Sequence, residues 1–295
     1  MERIGFVGVG LMGEGMAASM LKAGYPVTVI AHMNRAPVER LLELGAREAQ
    51  TLEDLAANAD VLHICAPGSP QVETIVEKVL PELPKGSVVI DCSTSDPVST
   101  VMLAKRIEAA GSHMADAPLG GTPAQAAEGQ LAAMVGADET TFARIEPILR
   151  SWAGAAVAHL GPVGTGHRMK LLNNFLAMGY GALYAEALAL SRKVGISTET
   201  FDGVIRGSRM DCGFYQTFMG YAVEGNRDSH KFTLTNALKD MTYLASMAGA
   251  AGIANPVGAA IRNSYAGAVS QGGDGSEDYV PHLVDFVARA NGLDE

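Results

Sequence analysis

The sequence predicts an α/β architecture: an N-terminal doubly wound, parallel-sheet domain followed by an all-α domain. Three observations lead there. Short apolar runs alternate with helical patterns through the first half, as βαβ units require. A Gly-x-Gly-x-x-Gly turn, Gly8 to Gly13, stands between the first such run and the first helical stretch. After about Gly164 the strand signals stop and helical patterns take over. These place the first domain at residues 1–163 and the second at 164–295.

Taken in order, strands are expected near Ile4–Val7, Val27–Ile30, Val61–Cys65, Val88–Asp91, His113–Asp116, Ala132–Val135 and Ala156–His159. Each is a short apolar run bounded by turn residues. Helical stretches lie between them at Gly13–Ala23, Val38–Leu44 and Val98–Ala110, and Thr51 reads as the N-cap of another. From His167 to Val194 one helical pattern continues through weak punctuation at Gly179 and Gly181. At 1.5 Å per residue it would be about 40 Å long. It is apolar on most faces, so it is expected to be buried between domains or subunits. Loops are expected near 207–213, 225–229 and 272–276.

Composition narrows the function classes. The 295 residues are 48% hydrophobic and 18% charged, which fits a globular protein and not a disordered one. A formal net charge of −10 argues against a nucleic-acid partner. No apolar run is long enough to span a bilayer, so no membrane association is expected. The start, Met1-Glu2-Arg3-Ile4, enters a strand directly, and no signal peptide is expected. The three cysteines, Cys65, Cys92 and Cys212, fit neither zinc-ligand spacing nor a disulfide framework. A reducing, cytoplasmic setting follows, and no metal site is read.

The glycine turn carries chemistry. In its strand–turn–helix setting it reads as a Rossmann-type dinucleotide fingerprint. Gly8 permits the turn, Gly10 lets backbone approach a pyrophosphate, and Gly13 allows close helix–strand packing. Leu11 and Met12 belong to the same phosphate-facing turn, whose helix N-terminus favours anions. At the end of the second strand an acidic residue would hold the ribose 2′-OH of NAD. The segment is instead Ala31-His32-Met33-Asn34-Arg35. His32, Asn34 and Arg35 are therefore candidates to cradle a 2′-phosphate, which favours NADP with NAD still possible. A solvated loop with an incidental arginine is the plainer alternative.

The chain resembles the β-hydroxyacid dehydrogenase family, which includes 3-hydroxyisobutyrate dehydrogenases and tartronate semialdehyde reductases. The resemblance spans essentially the whole chain. It rests on Gly5–Gly24, Asp91-Cys92-Ser93-Thr94, Asp116–Gly136 with Ala117-Pro118-Leu119-Gly120-Gly121-Thr122, and Gly164–Asn174, with a weaker block at Phe232–Asp240. It implies hydride transfer between NAD(P) and a small anionic hydroxy acid or aldehyde. In the fourth block, Lys170 and Asn174 lie four apart on one helical face. Reduction of a carbonyl needs a proton donor, and Lys170 supplies it as general acid or base. An unperturbed lysine titrates near ~10.4, so oxidation near neutrality requires a depressed value. The resemblance gives Asn174 the role of orienting Lys170 or donating to the substrate.

Gly120, Gly121 and Thr122 would face the substrate through backbone donors. Most of the family reads Ser-Gly-Gly there, so the hydroxyl is expected to have moved to Thr122. Sulfolactaldehyde reductases show a similar Gly-x-Thr pattern, with an arginine where this chain has Gly121. Ser93 would meet the substrate and Thr94 the cofactor, although capping of the next helix explains both equally well. Pro67 would shape the cofactor loop. Lys239 resembles the family's second cleft lysine, or is an exposed helical lysine. Arg209, Asp211 and Phe214 lie in a glycine-flanked loop that could cover the substrate. An imine reductase of the same architecture and a non-catalytic NADP sensor are the rival readings; Lys170 speaks against both. The apolar long helix predicts a homodimer or homotetramer.

Overall fold

Short segments between turn residues become strands, the runs of valine, isoleucine and leucine among them being the most deeply buried. In the computed structural model, which describes residues 1–293, they are β1 (Ile4–Val7), β2 (Val27–Ile30), β3 (Arg47–Ala49), β4 (Val61–Ile64), β5 (Val88–Asp91), β6 (His113–Asp116), β7 (Leu119–Gly120), β8 (Ala132–Val135) and β9 (Ala156–His159). The first six form one parallel sheet in the order β3-β2-β1-β4-β5-β6. Every residue of β1, β4 and β5 is buried, as a parallel sheet covered on both faces demands. The strand order reverses between β1 and β4, which is where doubly wound sheets bind ligands.

Two strands lie outside the sequence expectation. β3 reads Arg-Glu-Ala and has no apolar run to announce it; it is the charged edge of the sheet. β7 is two residues long and pairs antiparallel with β8. β8 and β9 do not extend the parallel sheet but form a second sheet in the order β7-β8-β9. Only Ala117 and Pro118 separate β6 from β7, and the chain keeps its direction through both; it reverses after Gly120, so that β8 runs antiparallel to β7.

Helices cover the sheets: α1 (Gly13–Lys22), α2 (Ala36–Glu43), α3 (Leu52–Ala57), α4 (Ser69–Val79), α5 (Pro97–Ala109), α6 (Pro123–Ala127) and α7 (Glu139–Trp152). Thr51 caps α3 as expected, accepting from the Asp54 N–H at 3.0 Å. Next come α8 (Thr165–Lys193), α9 (Thr198–Ile205), α10 (Gly213–Ala222), α11 (Leu234–Ala250), α12 (Pro256–Ser270) and α13 (Leu283–Ala290). Backbone contacts divide the chain into two units, Met1–Lys170 and a helical unit from Leu171 onward. The division falls inside α8, beyond the 163/164 position expected from sequence.

The helical unit has its own core, with Leu171, Met178, Leu188, Tyr215, Phe218 and Tyr265 among its buried members. Gly179 and Gly181 do not interrupt α8. A Cβ at Gly181 would lie 2.7 Å from the Tyr265 hydroxyl, so the glycine serves close packing instead. That hydroxyl donates to the Met178 carbonyl at 2.9 Å.

One core residue of the parallel sheet is chemically out of place. His63 on β4 is fully buried, stacks on Phe6 at 5.7 Å between centroids, and neither ring nitrogen has a hydrogen-bond partner. Burial pushes its pKa down to about 3. The unfolded chain therefore binds a proton near pH 6.5 that the folded chain refuses, and stability falls as pH drops below 6.5. This linkage should cost roughly 2 kcal/mol between pH 6.5 and pH 5. Chemical denaturation of wild type and His63→Leu at pH 7 and pH 5 checks it. The variant should lose about 2 kcal/mol less on acidification; identical losses would contradict this account.

Candidate functional site

The loops that follow β1, β2, β4 and β5 all lie at the carboxyl edge of the parallel sheet. The first is the glycine turn. Gly8 has φ +95°, and a Cβ there would lie 2.0 Å from the Cys65 carbonyl oxygen. A Cβ on Gly13 would lie equally close to the Gly8 carbonyl, yet around Gly10 there is nothing within 4 Å. The turn is closed against protein at Gly8 and Gly13 and open at Gly10. Leu11 is exposed and Met12 half-buried at the mouth of α1. Such an opening over a helix N-terminus suits a pyrophosphate.

After β2, His32, Asn34 and Arg35 are all exposed. Asn34 accepts through Oδ1 from the Ala36 N–H at 3.1 Å, which shapes the start of α2. The Arg35 guanidinium does not stand open: it donates to both oxygens of Glu48 at 2.9 and 2.8 Å, with Glu39 at 3.6 Å. Arg35 in this structure is therefore an ion-pair partner of the β3 edge. Pro67 is exposed in the loop after β4, and the adjacent Ala66 N–H donates to Ser93 Oγ at 2.9 Å. Ser93 thus ties the loops after β4 and β5 together. Its own N–H donates to Asp91 Oδ1 at 2.9 Å, while Thr94 is half-buried beside it. Neither caps α5; that cap is Asp96, which accepts from the Val98 N–H.

The Gly120–Thr122 segment is tied to the helix that follows it. Gly121 has φ +132° and a Cβ there would meet Leu131 at 2.8 Å, so the backbone resists an arginine at this place. Thr122 was expected to offer its hydroxyl to an anion. In the structure that hydroxyl caps α6: Oγ1 accepts from the Gln125 N–H, and Gln125 Oε1 accepts from the Thr122 N–H at 2.9 Å. The Thr-x-x-Gln spacing is itself a capping-box signature.

The start of α8 is held by Asp116, a fully buried carboxylate at the end of β6. It accepts from the Gly164 N–H at 2.5 Å and the His167 N–H at 2.6 Å, two donors that a helix start leaves without intrahelical partners. Burial raises its pKa, opposed by His167 and by these two bonds. A Cβ on Gly166 would fall 2.3 Å from the Met134 carbonyl, so only glycine lets the helix start this close to the sheets. Lys170 follows one turn later, half-buried, and Asn174 one turn after that, buried.

In the helical unit, Asn174 Nδ2 donates to Asp240 Oδ2 at 2.6 Å, and Lys239 Nζ lies 3.1 Å from Asp240 Oδ1. Asp240 is fully buried on α11. It therefore brings Asn174 and Lys239 together. Neither Asp240 nor His167 is among the residues that the sequence places at the site. The available signals were an acid at the end of the Phe232–Asp240 block and a histidine three residues before Lys170. Arg209, Asp211 and Phe214 lie in the helical unit, where Asp211 accepts from the Gly207 N–H and from Gln216.

A family profile described as the NAD binding domain of 6-phosphogluconate dehydrogenase matches residues 3–161. A second, described as NAD-binding of NADP-dependent 3-hydroxyisobutyrate dehydrogenase, matches residues 164–282. The chain is 37% identical over 207 residues to 2-(hydroxymethyl)glutarate dehydrogenase of Eubacterium barkeri, covering 69% of this chain and 68% of that one. It is 30% identical over 275 residues to 3-sulfolactaldehyde reductase of Escherichia coli (strain K12), covering 92% of each. Among solved structures, the 3-hydroxyisobutyrate dehydrogenase of Mycobacterium tuberculosis with L-serine aligns with a TM-score of 0.85 at 27% identity, covering 96% of this chain and 99% of that one.

The capping role of Thr122 is separable from any contact with a ligand. Thr122→Ser should leave stability unchanged, whereas Thr122→Val should lose about 1 kcal/mol. In a chain of this size that lowers Tm by roughly 2–4 °C. Thermal melts of the two variants check it; a Thr122→Val protein as stable as wild type would remove the capping assignment.

Proposed function

The chain belongs to the β-hydroxyacid dehydrogenase family of NAD(P)-dependent oxidoreductases, and from that premise we propose that it transfers a hydride between NADP(H) and a compact 3-hydroxy acid or its semialdehyde, with Lys170 as general acid and base. The observation that carries this reading is the disposition of α8. Lys170 stands one turn beyond a helix start bonded to Asp116 and one turn before an amide bonded to Asp240.

The turn at Gly8–Gly13 would hold the pyrophosphate, with Pro67, Thr94 and Lys239 as further cofactor contacts. The nicotinamide, when bound, supplies the hydride. In reduction the substrate oxygen gains negative charge, and Lys170 Nζ delivers a proton to it. In oxidation Lys170, neutral, receives that proton. Asn174 has one amide hydrogen committed to Asp240, which fixes its plane for orienting Lys170 or the substrate oxygen.

Substrate class follows from a shared chemistry. The relatives are named for a hydroxymethyl glutarate and for sulfolactaldehyde, and the tuberculosis enzyme was solved with L-serine. Each compound carries a terminal hydroxymethyl or aldehyde group on a short chain with an anionic end. Because Thr122 is occupied in capping, we assign recognition of the anion chiefly to the backbone at Gly120–Gly121 and to Ser93. For the cofactor, no carboxylate stands at Ala31, and the Arg35 side of the Arg35–Glu48 pair is open to solvent, which screens the attraction. A 2′-phosphate can therefore draw Arg35 from Glu48, with His32 and Asn34 beside it. The three cysteines are unpaired, which supports a reducing, cytosolic place of action.

The experiment is a panel of tartronate semialdehyde, 3-hydroxyisobutyrate, succinic semialdehyde, serine and sulfolactaldehyde. Each is assayed with both cofactors and beside its neutral analogue. Acids should turn over, neutral analogues should be poor, and NADP(H) should outperform NAD(H). Lys170→Ala should lower kcat by roughly 10²–10⁴-fold while cofactor affinity holds. A loss below about tenfold would remove Lys170 from its role, and equal use of neutral analogues would remove the anion site.

A second expectation concerns assembly. Leu172, Leu176, Leu183 and Leu190 on α8 are 46%, 60%, 64% and 64% exposed, and their spacing places them along one helical face. A groove of about 650 Å³, lined by Leu183, Ala187, Leu190 and Phe286, runs beside it. We assign this face to a second copy of the chain, since self-complementary apolar patches are how homodimers form. Light scattering at micromolar concentration should give a dimer or tetramer of the 30.7 kDa chain. Leu176→Glu with Leu183→Glu should shift it toward monomer; a monomeric wild type would contradict the assignment.

A further inference from the structure

The first turn of α8 carries a buried imidazole that the mechanism above does not use. His167 is fully buried within the unit Met1–Lys170. Its backbone N–H donates to Asp116 Oδ2 at 2.6 Å, and both ring nitrogens are engaged as well. Nε2 lies 3.0 Å from the Ser93 carbonyl oxygen. A carbonyl oxygen only accepts, so Nε2 carries the hydrogen and donates it there. Nδ1 lies 2.8 Å from Thr100 Oγ1, which donates to it when the ring is neutral. Two buried carboxylates stand just outside hydrogen-bond range, Asp91 Oδ2 at 3.8 Å from Nε2 and Asp116 Oδ2 at 3.7 Å from Nδ1.

These bonds do something that apolar packing does not. Asp116 fixes where α8 begins. The imidazole, projecting sideways to Ser93 and to Thr100 on α5, opposes rotation of α8 about its own axis. Lys170 comes three residues later on the same helix. A rotation of ten degrees or so would move an ammonium at the end of a lysine side chain by about 1 Å. Misplacement on that scale costs on the order of 10²-fold in rate.

We propose that His167 is a positioning residue: it locks the rotation of α8 against the Ser93–Thr94 loop and so aims Lys170 at the substrate oxygen. This rests on the reading of Lys170 as the acid–base group. The imidazole touches neither substrate nor cofactor in this role. It transmits to Lys170 the position of the loop that also carries Ser93 and Thr94.

Two polar replacements separate the ring nitrogens. The amide of His167→Gln reaches the place of Nε2 and can donate to Ser93, whereas that of His167→Asn reaches only the place of Nδ1. His167→Gln should keep kcat within about threefold of wild type, and His167→Asn should lose about tenfold or more. Cofactor affinity should stay the same in both, and their melting temperatures should be similar. In a Lys170→Ala background the difference in residual turnover between the two should vanish. Equal kcat in the Gln and Asn variants, or a difference that persists without Lys170, would overturn the proposal. A Lys170→Ala enzyme with intact turnover overturns the acid–base reading itself, and this inference with it. Should neither His167 variant fold, Thr100→Val and Thr100→Ser put the question to Nδ1. Valine should lower kcat several-fold and serine restore it; equal values would again overturn the proposal.

Discussion

The carboxylate of Asp116 fixes where α8 begins, and much of the surrounding sequence serves that contact. A helix start exposes N–H groups and a partial positive charge, so a buried carboxylate is well matched there. The match requires close approach. A Cβ on Gly136 would lie 2.4 Å from Asp116 Oδ1, and one on Gly166 would lie 2.8 Å from Oδ2. Two glycines from different elements therefore clear the space the carboxylate occupies. Gly136 also exchanges backbone hydrogen bonds with Asp116 across an isolated bridge, which turns the chain from the parallel sheet toward the second one. Removing the carboxylate would leave two buried donors without partners, a loss of about 1–3 kcal/mol for each.

The parts of the fold legible in the sequence are those set by local pattern. β1, β2, β5, β6, β8 and β9 fall on the apolar runs that announced them, and Thr51 caps α3 through its own hydroxyl. β3 was not legible because Arg47-Glu48-Ala49 carries no apolar signal; pairing with β2 alone makes it a strand. The separate sheet of β7, β8 and β9 was equally hidden. Its existence turns on a two-residue strand and a reversal after Gly120, neither of which has a periodicity to read.

The site divides along the same line. Gly8 and Gly13 were legible because each solves a local geometric problem that a side chain would spoil. Arg35 and Thr122 each have a partner within the protein, Glu48 on the sheet edge and Gln125 one turn along. The second pairing is legible, since Thr-x-x-Gln is a local signature. The first is not, because β3 carries no apolar signal. Asp240 and His167 belong to a third class. Asn174 meets Asp240 across 66 residues, and His167 meets Ser93 across 74. Contacts of that separation leave no mark on helical periodicity, which records only which face is apolar.

The rotation of α8 is set by buried polar groups. Burial of apolar surface is non-directional, so it sets how deeply a helix sits in a core and says little about its rotation. α8 places Leu171, Met178, Ala185 and Leu188 in the helical core, yet leaves Leu172, Leu176 and Leu183 exposed. A modest rotation would exchange similar apolar atoms at small cost. Hydrogen bonds weaken steeply with angle, and a buried donor that loses its partner is penalised by desolvation. The bonds from Gly164 and His167 to Asp116, and from Asn174 to Asp240, therefore supply the angular constraint that apolar packing lacks. Lys170 lies between residues 167 and 174 on the same helix, so both constraints act within about one turn of it. A proton donor, the role proposed for Lys170, needs its reach set to a fraction of an ångström, and polar bonds on either side of that residue hold the helix that carries it.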